Sequence, residues 1–181
     1  MKLLICSDIH GDLCGAEKIL DVFTKEQYDK ILILGDILYH GPRNDLPAAY
    51  NPKGVIELLN ENKQSILALR GNCDTEVDQM VLEFPILADY VYLNINGQLI
   101  FATHGHKHNL SSLPPLGKGE ILLHGHTHIP TVEKFGDGNL YINPGSTSIP
   151  KGGYAPSYAS FDGEKIEIKD FEGNVINAAI L

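Results

Sequence analysis

Short apolar segments of strand length alternate with segments of helical periodicity in the first part of the chain, and this alternation constrains the fold most. Residues 2–6, 30–34 and 65–69 are mostly apolar, whereas residues 13–24 and 53–60 repeat apolar side chains at helical spacing. Strands without a polar face are typical of parallel sheets that helices cover. The order strand–helix–strand–helix–strand therefore predicts an α/β fold built on a parallel sheet.

The rest of the chain is dominated by β signals. Asn96-Gly97 and Asp162-Gly163 are typical of tight hairpin turns, and each lies between two short apolar segments. One long segment without periodicity, residues 37–52, is rich in Gly, Pro and Asn, and a loop of that length in a compact domain is usually functional. The predicted strands of this part are residues 90–95, 98–103, 120–123, 131–135, 139–142, 157–161 and 165–169.

Composition and charge narrow the class of protein. With 181 residues the chain has the size of one domain, which we expect to span residues 1–181. Its net charge of −9 argues against binding a nucleic acid polymer through bulk charge. No apolar segment reaches the roughly 18 residues that cross a bilayer, and no Lys/Arg cluster suits a membrane surface. Because the three cysteines form no Cys-x-x-Cys pair and the N-terminus lacks a secretory pattern, we expect a cytoplasmic protein with reduced thiols.

Side chains that bind metals follow five of the predicted strands directly. The carboxyl ends of strands in open α/β sheets are where ligands bind, so we expect these side chains to meet. Imidazole, carboxylate and amide oxygen together suit manganese, iron, zinc or similar ions. The sequence contains no cluster of thiolates, so a structural zinc site is not expected. Each motif alone is weak, since Gly-Asp and Gly-Asn are first of all turn signals. The five strand ends carry Asp8 and His10, Asp36, Asn72 and Asp74, His104 and His106, and His124, His126 and His128.

The order Asp-x-His, Gly-Asp, Gly-Asn-x-Asp, His and Gly-His-x-His resembles the metallophosphoesterase (calcineurin-like phosphoesterase) superfamily. The motifs extend from Asp8 to His128, and the short chain resembles the small bacterial and archaeal phosphodiesterases of that superfamily. The resemblance implies an α/β fold of two facing mixed β-sheets flanked by helices, a four-layer α/β/β/α sandwich. It also implies a two-metal centre at the edge of the sheets, and a homo-oligomer.

The resemblance also implies a ligand set for two divalent ions. Two such ions about 3.5–4 Å apart need a shared anionic ligand to damp their repulsion, and a carboxylate can supply it. Manganese is the first choice, with zinc, iron(II), nickel and magnesium as alternatives. The implied reaction is the in-line attack of a metal-bridging hydroxide on a small phosphodiester. The implied ligands are Asp8, His10 and His128 for the first ion, Asn72, His104 and His126 for the second, and Asp36 as the bridge.

Cys73 departs from the superfamily pattern. The third motif commonly reads Gly-Asn-His-Asp/Glu, and its histidine helps to protonate the leaving group or to stabilise the transition state. With Cys73 in that position, Asp74 has no obvious residue to orient. Either acidic leaving groups are favoured, or His106 or a metal-bound water takes the role of the histidine, or Cys73 only packs. The residues expected to take part in catalysis are Asp36, Asn72, Cys73, Asp74 and His104.

Arg43 and His106 are the predicted substrate-binding residues. Arg43 lies in the 37–52 loop and can clamp two phosphate oxygens, although a surface ion pair is the alternative interpretation. His124 is expected behind the ligands rather than among them.

The substrate stays open, because phosphodiesterases, phosphomonoesterases and nucleotide phosphohydrolases use the same centre. A non-catalytic binding scaffold with this fold is the alternative from another class, and it is disfavoured because the ligand residues are all in place. A lactamase-type dinuclear hydrolase would need a His-x-His-x-Asp-His run, which the sequence lacks.

Overall fold

The computed structural model describes residues 1–181, which form two β-sheets that pack face to face. A single 3-10 turn, Lys63–Ser65, precedes the third strand. The helices are α1 (Leu13–Lys25), α2 (Pro52–Glu61) and α3 (Glu76–Gln79). The strands are β1 (Leu3–Cys6), β2 (Lys30–Ile33), β3 (Ile66–Ala68), β4 (Tyr90–Ile95), β5 (Gln98–Thr103), β6 (Ile121–His124), β7 (Thr131–Phe135), β8 (Asn139–Asn143), β9 (Ser157–Phe161), β10 (Lys165–Asp170) and β11 (Val175–Ile180).

The first sheet has the strand order β11-β10-β9-β1-β2-β3. Its half formed by β1, β2 and β3 is parallel, and α1 and α2 connect these strands in the sequence, as the alternation of apolar segments predicts. The strands β9, β10 and β11 extend the sheet on the other side of β1 in antiparallel pairs. The carboxyl ends of β1, β2 and β3 therefore lie at one edge.

The second sheet has the order β4-β5-β6-β8-β7, in which β5, β6 and β8 are parallel and the outer pairs are antiparallel. The β4–β5 hairpin turns at Asn96 and Gly97, whose φ angles of 52° and 89° are those of the predicted tight turn. The carboxyl ends of the parallel strands β5 and β6 carry His104 and His124.

Alternating side chains of the strands form two separate cores. In β1, Leu4 and Cys6 pack toward α1 and α2, whereas Leu3 and Ile5 pack toward the second sheet, as the two-residue period of a strand requires. Leu123 of β6 joins the inter-sheet core from the opposite side. The edge where the strands end is thus fixed by hydrophobic packing on both faces of the first sheet.

The predicted pair of facing mixed sheets is confirmed, and their outer cover is uneven. The helices α1 and α2 cover the first sheet, whereas the outer face of the second sheet buries Phe101, Leu122 and Tyr141 against Leu116 of an irregular segment. None of the three helices combines the length and the apolar character that crossing a bilayer requires. The sequence did not predict β11 or α3.

Candidate metal centre

The loops that follow β1 and β6 bring together the first predicted group of ligands. The Oδ1 atom of Asp8 lies 3.3 Å from Nε2 of His128 and 3.7 Å from Nε2 of His10. All three side chains are buried. Residues from the two sheets therefore point three donor atoms at one small volume.

The second predicted group surrounds His104, which follows β5. Its Nε2 atom lies 3.1 Å from Oδ1 of Asn72 and 3.2 Å from Nδ1 of His126. The Oδ2 atom of Asp36 lies 3.4 Å from the same nitrogen. Three donor atoms from three other loops therefore lie within 3.4 Å of Nε2 of His104.

The carboxylates of Asp36 and Asp8 both lie near the two groups, since Oδ1 of Asp8 is also 3.9 Å from Nε2 of His104. The Oδ2 atom of Asp36 is 3.4 Å from His104 Nε2 and 3.7 Å from His10 Nε2, so it is within reach of both. Its Oδ1 atom accepts a hydrogen bond of 2.8 Å from the backbone N–H of Cys73. Asp8 is arranged in the same way, because its Oδ2 atom accepts from the backbone N–H of His126 while Oδ1 faces the site.

Hydrogen bonds to backbone carbonyls fix the orientation of three of the histidines. In a neutral imidazole whose Nδ1–H donates to a carbonyl, Nε2 carries the lone pair and faces a metal. The donor and acceptor pairs are His10 with Tyr39 (2.7 Å), His104 with Leu34 (2.8 Å) and His128 with Ile149 (2.7 Å).

The arrangement of these donors fits a divalent cation. The Nε2 atoms of His10 and His128 are 3.4 Å apart, and the buried Oδ1 of Asp8 accepts no hydrogen bond. Facing lone pairs and an unpaired buried carboxylate oxygen repel one another unless a proton or a cation lies between them. Burial lowers the pKa of His104, but the carboxylates of Asp36 and Asp8 raise it to about 9, so the site attracts positive charge.

Backbone strain is concentrated at the same residues. Seven non-glycine residues of the chain have a positive φ, and five of these are predicted ligands. A left-handed conformation costs an ordinary residue about 1–2 kcal/mol, and such strain clusters at functional sites. The five residues are Asp8 (56°), His10 (49°), Asp36 (55°), His126 (65°) and His128 (61°).

Asp74 has a clear structural partner, contrary to the expectation from the sequence. Its buried carboxylate accepts hydrogen bonds from the backbone N–H groups of Asp36 (2.8 Å), Ile37 (2.9 Å) and Gly71 (2.7 Å). Burial, with a smaller contribution from the charge of Asp36, raises the pKa of Asp74 to about 6. Asp74 therefore positions the loop that carries Asp36 rather than orienting the side chain of Cys73.

Cys73 lies beside the donor atoms. Its Sγ atom is within 4.8 Å of the donor atoms of His10 and Asp36, and it accepts a hydrogen bond of 3.2 Å from Nδ2 of Asn72. Burial raises the pKa of the Cys73 thiol, and the nearby charge of Asp36 raises it further. The thiol is therefore neutral at ordinary pH.

The remaining histidines lie at the margin of the site. The ring of His106 is 5.5 Å from that of His104, but His106 does not line the cavity in front of the ligands. His124 is buried with its ring 4.6 Å from that of Tyr141, and burial lowers its pKa to about 4. His124 is therefore buried, and it does not line that cavity.

A polar cavity of about 390 Å³ is lined by four of the predicted ligands, Asp36, Asn72, His126 and His128. The predicted Arg43 lines it, together with Asn44 and Thr127. Lys151 also lines it, and sequence reasoning missed this residue because a single lysine in a glycine-rich loop carries no pattern. The backbone N–H of Lys151 donates to the carbonyl of His128, which ties the lysine to a ligand loop.

Two serines of the segment that follows β8 hold the loop after β1. The hydroxyl groups of Ser146 and Ser148 donate to the backbone carbonyl of Asp8 at 2.8 and 3.0 Å. Nearby, Asn143 donates to the carbonyl of Gly125 at 2.8 Å. The segment that follows β8 therefore fixes the two ligand loops relative to each other.

The fold and the site together define a class: an α/β/β sandwich that gathers buried carboxylates and oriented imidazoles at the common edge of its sheets. The family model of the calcineurin-like phosphoesterase superfamily domain matches residues 1–165, and the chain belongs to this superfamily. It is accordingly an enzyme of the class that hydrolyses phosphoric ester bonds.

Individual relatives support the same assignment. The chain is 46% identical to phosphodiesterase YfcE of Escherichia coli over 93% of its own length and 91% of the relative's. It is 27% identical to phosphodiesterase MJ0936 of Methanocaldococcus jannaschii, covering 94% of this chain and 98% of the relative. A solved structure of Yfce, a phosphoesterase from E. coli, superposes with a TM-score of 0.96 at 43% identity and covers 99% of both chains.

Proposed function

We propose that the protein is a metal-dependent phosphodiesterase that hydrolyses small phosphodiesters by in-line displacement at a centre of two divalent ions. The observation that carries the proposal is the Oδ2 atom of Asp36, which is within 3.7 Å of His10 Nε2 and 3.4 Å of His104 Nε2. An anionic oxygen shared by two sets of imidazoles is what a two-metal centre needs. Two relatives, phosphodiesterase YfcE and phosphodiesterase MJ0936, support the substrate class.

In this proposal the chain holds each ion with side chains that its own hydrogen bonds have already oriented. When bound, divalent ions lower the pKa of water and neutralise charge on a phosphoryl group, which is the chemistry that ester hydrolysis requires. Manganese is the ion we propose, on the basis of the superfamily resemblance. The proposed ligands are Asp8, His10 and His128 for one ion, Asn72, His104 and His126 for the other, and Asp36 for both.

Two cationic side chains support the binding of an anionic substrate. Arg43 and Lys151 line the polar cavity. Asp36 also lines it, and in this proposal its carboxylate faces the metal ions. Because the whole protein has a net charge of −9, the attraction of an anionic substrate depends on the local positive charge of these two cationic side chains. We propose that Arg43 and Lys151 contact the phosphoryl oxygens that point away from the metal ligands.

Cys73 and Asp74 act in different ways in this proposal. Asp74 is a positioning residue, because it holds the backbone of Asp36 through hydrogen bonds. The neutral thiol of Cys73 is a weak hydrogen-bond donor at the edge of the cavity. Leaving groups that depart as stable anions are therefore favoured over alkoxides, which need a proton.

We further propose that residues 1–181 act as one domain, since the core between the sheets takes side chains from both halves of the chain. The chain contains three free cysteines and no disulfide, which supports a cytoplasmic location. A homo-oligomer remains our proposal from the superfamily resemblance.

A metal-reconstitution assay tests the function. Metal-free protein would be titrated with Mn²⁺ and assayed on bis(4-nitrophenyl) phosphate and 4-nitrophenyl phosphate, which share a leaving group but differ as diester and monoester. We expect Mn²⁺-dependent hydrolysis with a preference for the diester, and no activity in Asp36→Asn. Preference for the monoester would replace the proposal by a phosphomonoesterase. Two bound ions without hydrolysis of either compound would favour a binding scaffold.

A further inference from the structure

Cys73 separates two cavities of contrasting character. The lining of the polar cavity consists mainly of polar and charged side chains, among them Asp36, Arg43 and Lys151. The second cavity, which we call the apolar cleft, has a volume of about 390 Å³ and shares Cys73 with the first. Because Sγ of Cys73 is within 4.8 Å of the donor atoms of His10 and Asp36, the apolar cleft begins at the metal centre itself. The residues that define the cleft are Leu38, Tyr39, Tyr50, Ile56, Val77 and Val81.

The walls of the apolar cleft are held in place. On one side, the ring of His40 contacts those of Tyr39 and Tyr50 edge-on, with centroids 4.8 and 5.4 Å apart. The carbonyl of Tyr39 also accepts the Nδ1–H of His10, so this wall is tied directly to a proposed ligand.

Another part of the lining, Val77 and Asp78, belongs to the short helix α3, which side-chain hydrogen bonds stabilise. Asp78 accepts from the backbone N–H of Thr75 at 2.7 Å, and the amide of Gln79 donates to the carbonyls of Leu82 and Phe84 at 3.0 Å. A cleft with fixed walls is preorganised for a ligand, which lowers the entropy that binding costs.

Water has access to the apolar surfaces of the cleft. Tyr39, Val77 and Val81 are 43%, 69% and 42% exposed. A small-molecule site usually combines apolar and aromatic surface with a few polar groups whose pKa values are shifted. A lining that combines two tyrosine rings with aliphatic side chains suits a flat aromatic group, which can pack against ring faces and edges.

We propose that the apolar cleft binds a flat aromatic group, such as an aryl group or a nucleobase, on the phosphoester that the metal centre hydrolyses. This inference rests on the proposed function and narrows its substrate class to esters with one such aromatic group. The ester passes Cys73, the residue that lines both cavities, and the remainder of the substrate lies in the polar cavity beside Arg43 and Lys151.

Direct binding separates this inference from the proposed activity. The Mn²⁺-loaded protein would be titrated calorimetrically with phenylphosphonate and methylphosphonate, which share the anionic head group and differ in the aromatic ring. We expect phenylphosphonate to bind about tenfold more tightly, because the ring buries apolar surface in the cleft. In Val77→Asn/Val81→Asn this advantage should fall to about twofold or less. The matched control is Val175→Asn/Ile180→Asn, which alters exposed residues of β11 outside both cavities and should keep the tenfold ratio.

Equal affinities in the unmodified protein, or an unchanged ratio in Val77→Asn/Val81→Asn, would overturn the inference while leaving the proposed function intact. An unchanged ratio together with an altered oligomeric state in that variant would identify the cleft as an interface between copies of the chain, which also overturns it. Failure of both phosphonates to bind would overturn the two-metal proposal and this inference together.

Discussion

The Nε2 atoms of His10 and His128 face each other at 3.4 Å, although the Nδ1–H of each ring is already donated to a backbone carbonyl. In the neutral rings these two nitrogens present lone pairs to each other, and the buried Oδ1 of Asp8 adds a third. The fold therefore maintains an arrangement of donor atoms that a proton or a bound cation between them stabilises.

Metal binding should consequently stabilise the protein. At a metal concentration about a hundredfold above the dissociation constant, linkage contributes about 2.7 kcal/mol. For a chain of this size that corresponds to a rise in Tm of about 5–10 °C. Thermal denaturation with Mn²⁺ and with a chelator measures the difference. Equal Tm values in the two conditions would contradict the account, and Asp36→Asn, which lacks the shared anion, is the control that should show a smaller rise.

Replacing Cys73 by His should raise turnover on diesters with poor leaving groups. A thiol is a weak hydrogen-bond donor, whereas a protonated imidazole can supply a proton to a departing alkoxide. The two cavities that flank Cys73 provide space for the larger ring. The measurement is kcat on a series of alkyl and aryl diesters at constant metal content, with Cys73→Ser as the control. No gain on alkyl esters would mean that Cys73 has a packing role only.

Arg43→Ala and Lys151→Ala should each weaken substrate binding. Both cations line the polar cavity, and a hydrogen bond to a charged group contributes about 1.5–3 kcal/mol. We expect KM for bis(4-nitrophenyl) phosphate to rise about tenfold or more in each variant. Lys118→Ala, which removes an exposed lysine outside both cavities, should leave KM unchanged. A normal KM in Lys151→Ala would remove this residue from the proposed site.

Gly71→Ala should impair activity through the position of Asp36. A Cβ atom on Gly71 would overlap the carboxylate and the backbone nitrogen of Asp36, so the loop with the shared ligand has to move. We expect a loss of kcat of about a hundredfold, since small displacements at a catalytic site are costly, together with reduced Mn²⁺ content. Gly119→Ala is the control, because its φ of 76° is strained for alanine while no atom lies within 4 Å. That variant should lose about 1 kcal/mol of stability and keep its activity.

The sequence predicts the parts of this molecule that depend on local pattern. The strands β4 and β5 begin and end where the Asn-Gly hairpin signal puts them. The strand-end motifs could be recognised because each follows a predicted strand, and the carboxyl ends of parallel strands meet at one edge of a sheet. The strand β11 was missed because its partly exposed residues, Val175–Ile180, include Asn177 and show no clear apolar face.

Long-range hydrogen bonds, by contrast, cannot be predicted from the local sequence pattern. Ser146 and Ser148 donate to the carbonyl of Asp8, which lies 138 and 140 residues earlier in the chain, and the periodicity of the sequence does not predict that contact. Asp74 was associated with its neighbour Cys73 in the sequence, yet it accepts from the backbone of Asp36. Such pairings depend on how loops from different strands meet, and only the assembled sheets determine that.

The most direct test of the account is anomalous scattering from crystals of the protein loaded with Mn²⁺. We predict two peaks about 3.5–4 Å apart, one beside His10 and His128 and the other beside His104 and Asn72, with Oδ2 of Asp36 in contact with both. A single peak, or two peaks that Asp36 does not join, would contradict the two-metal centre.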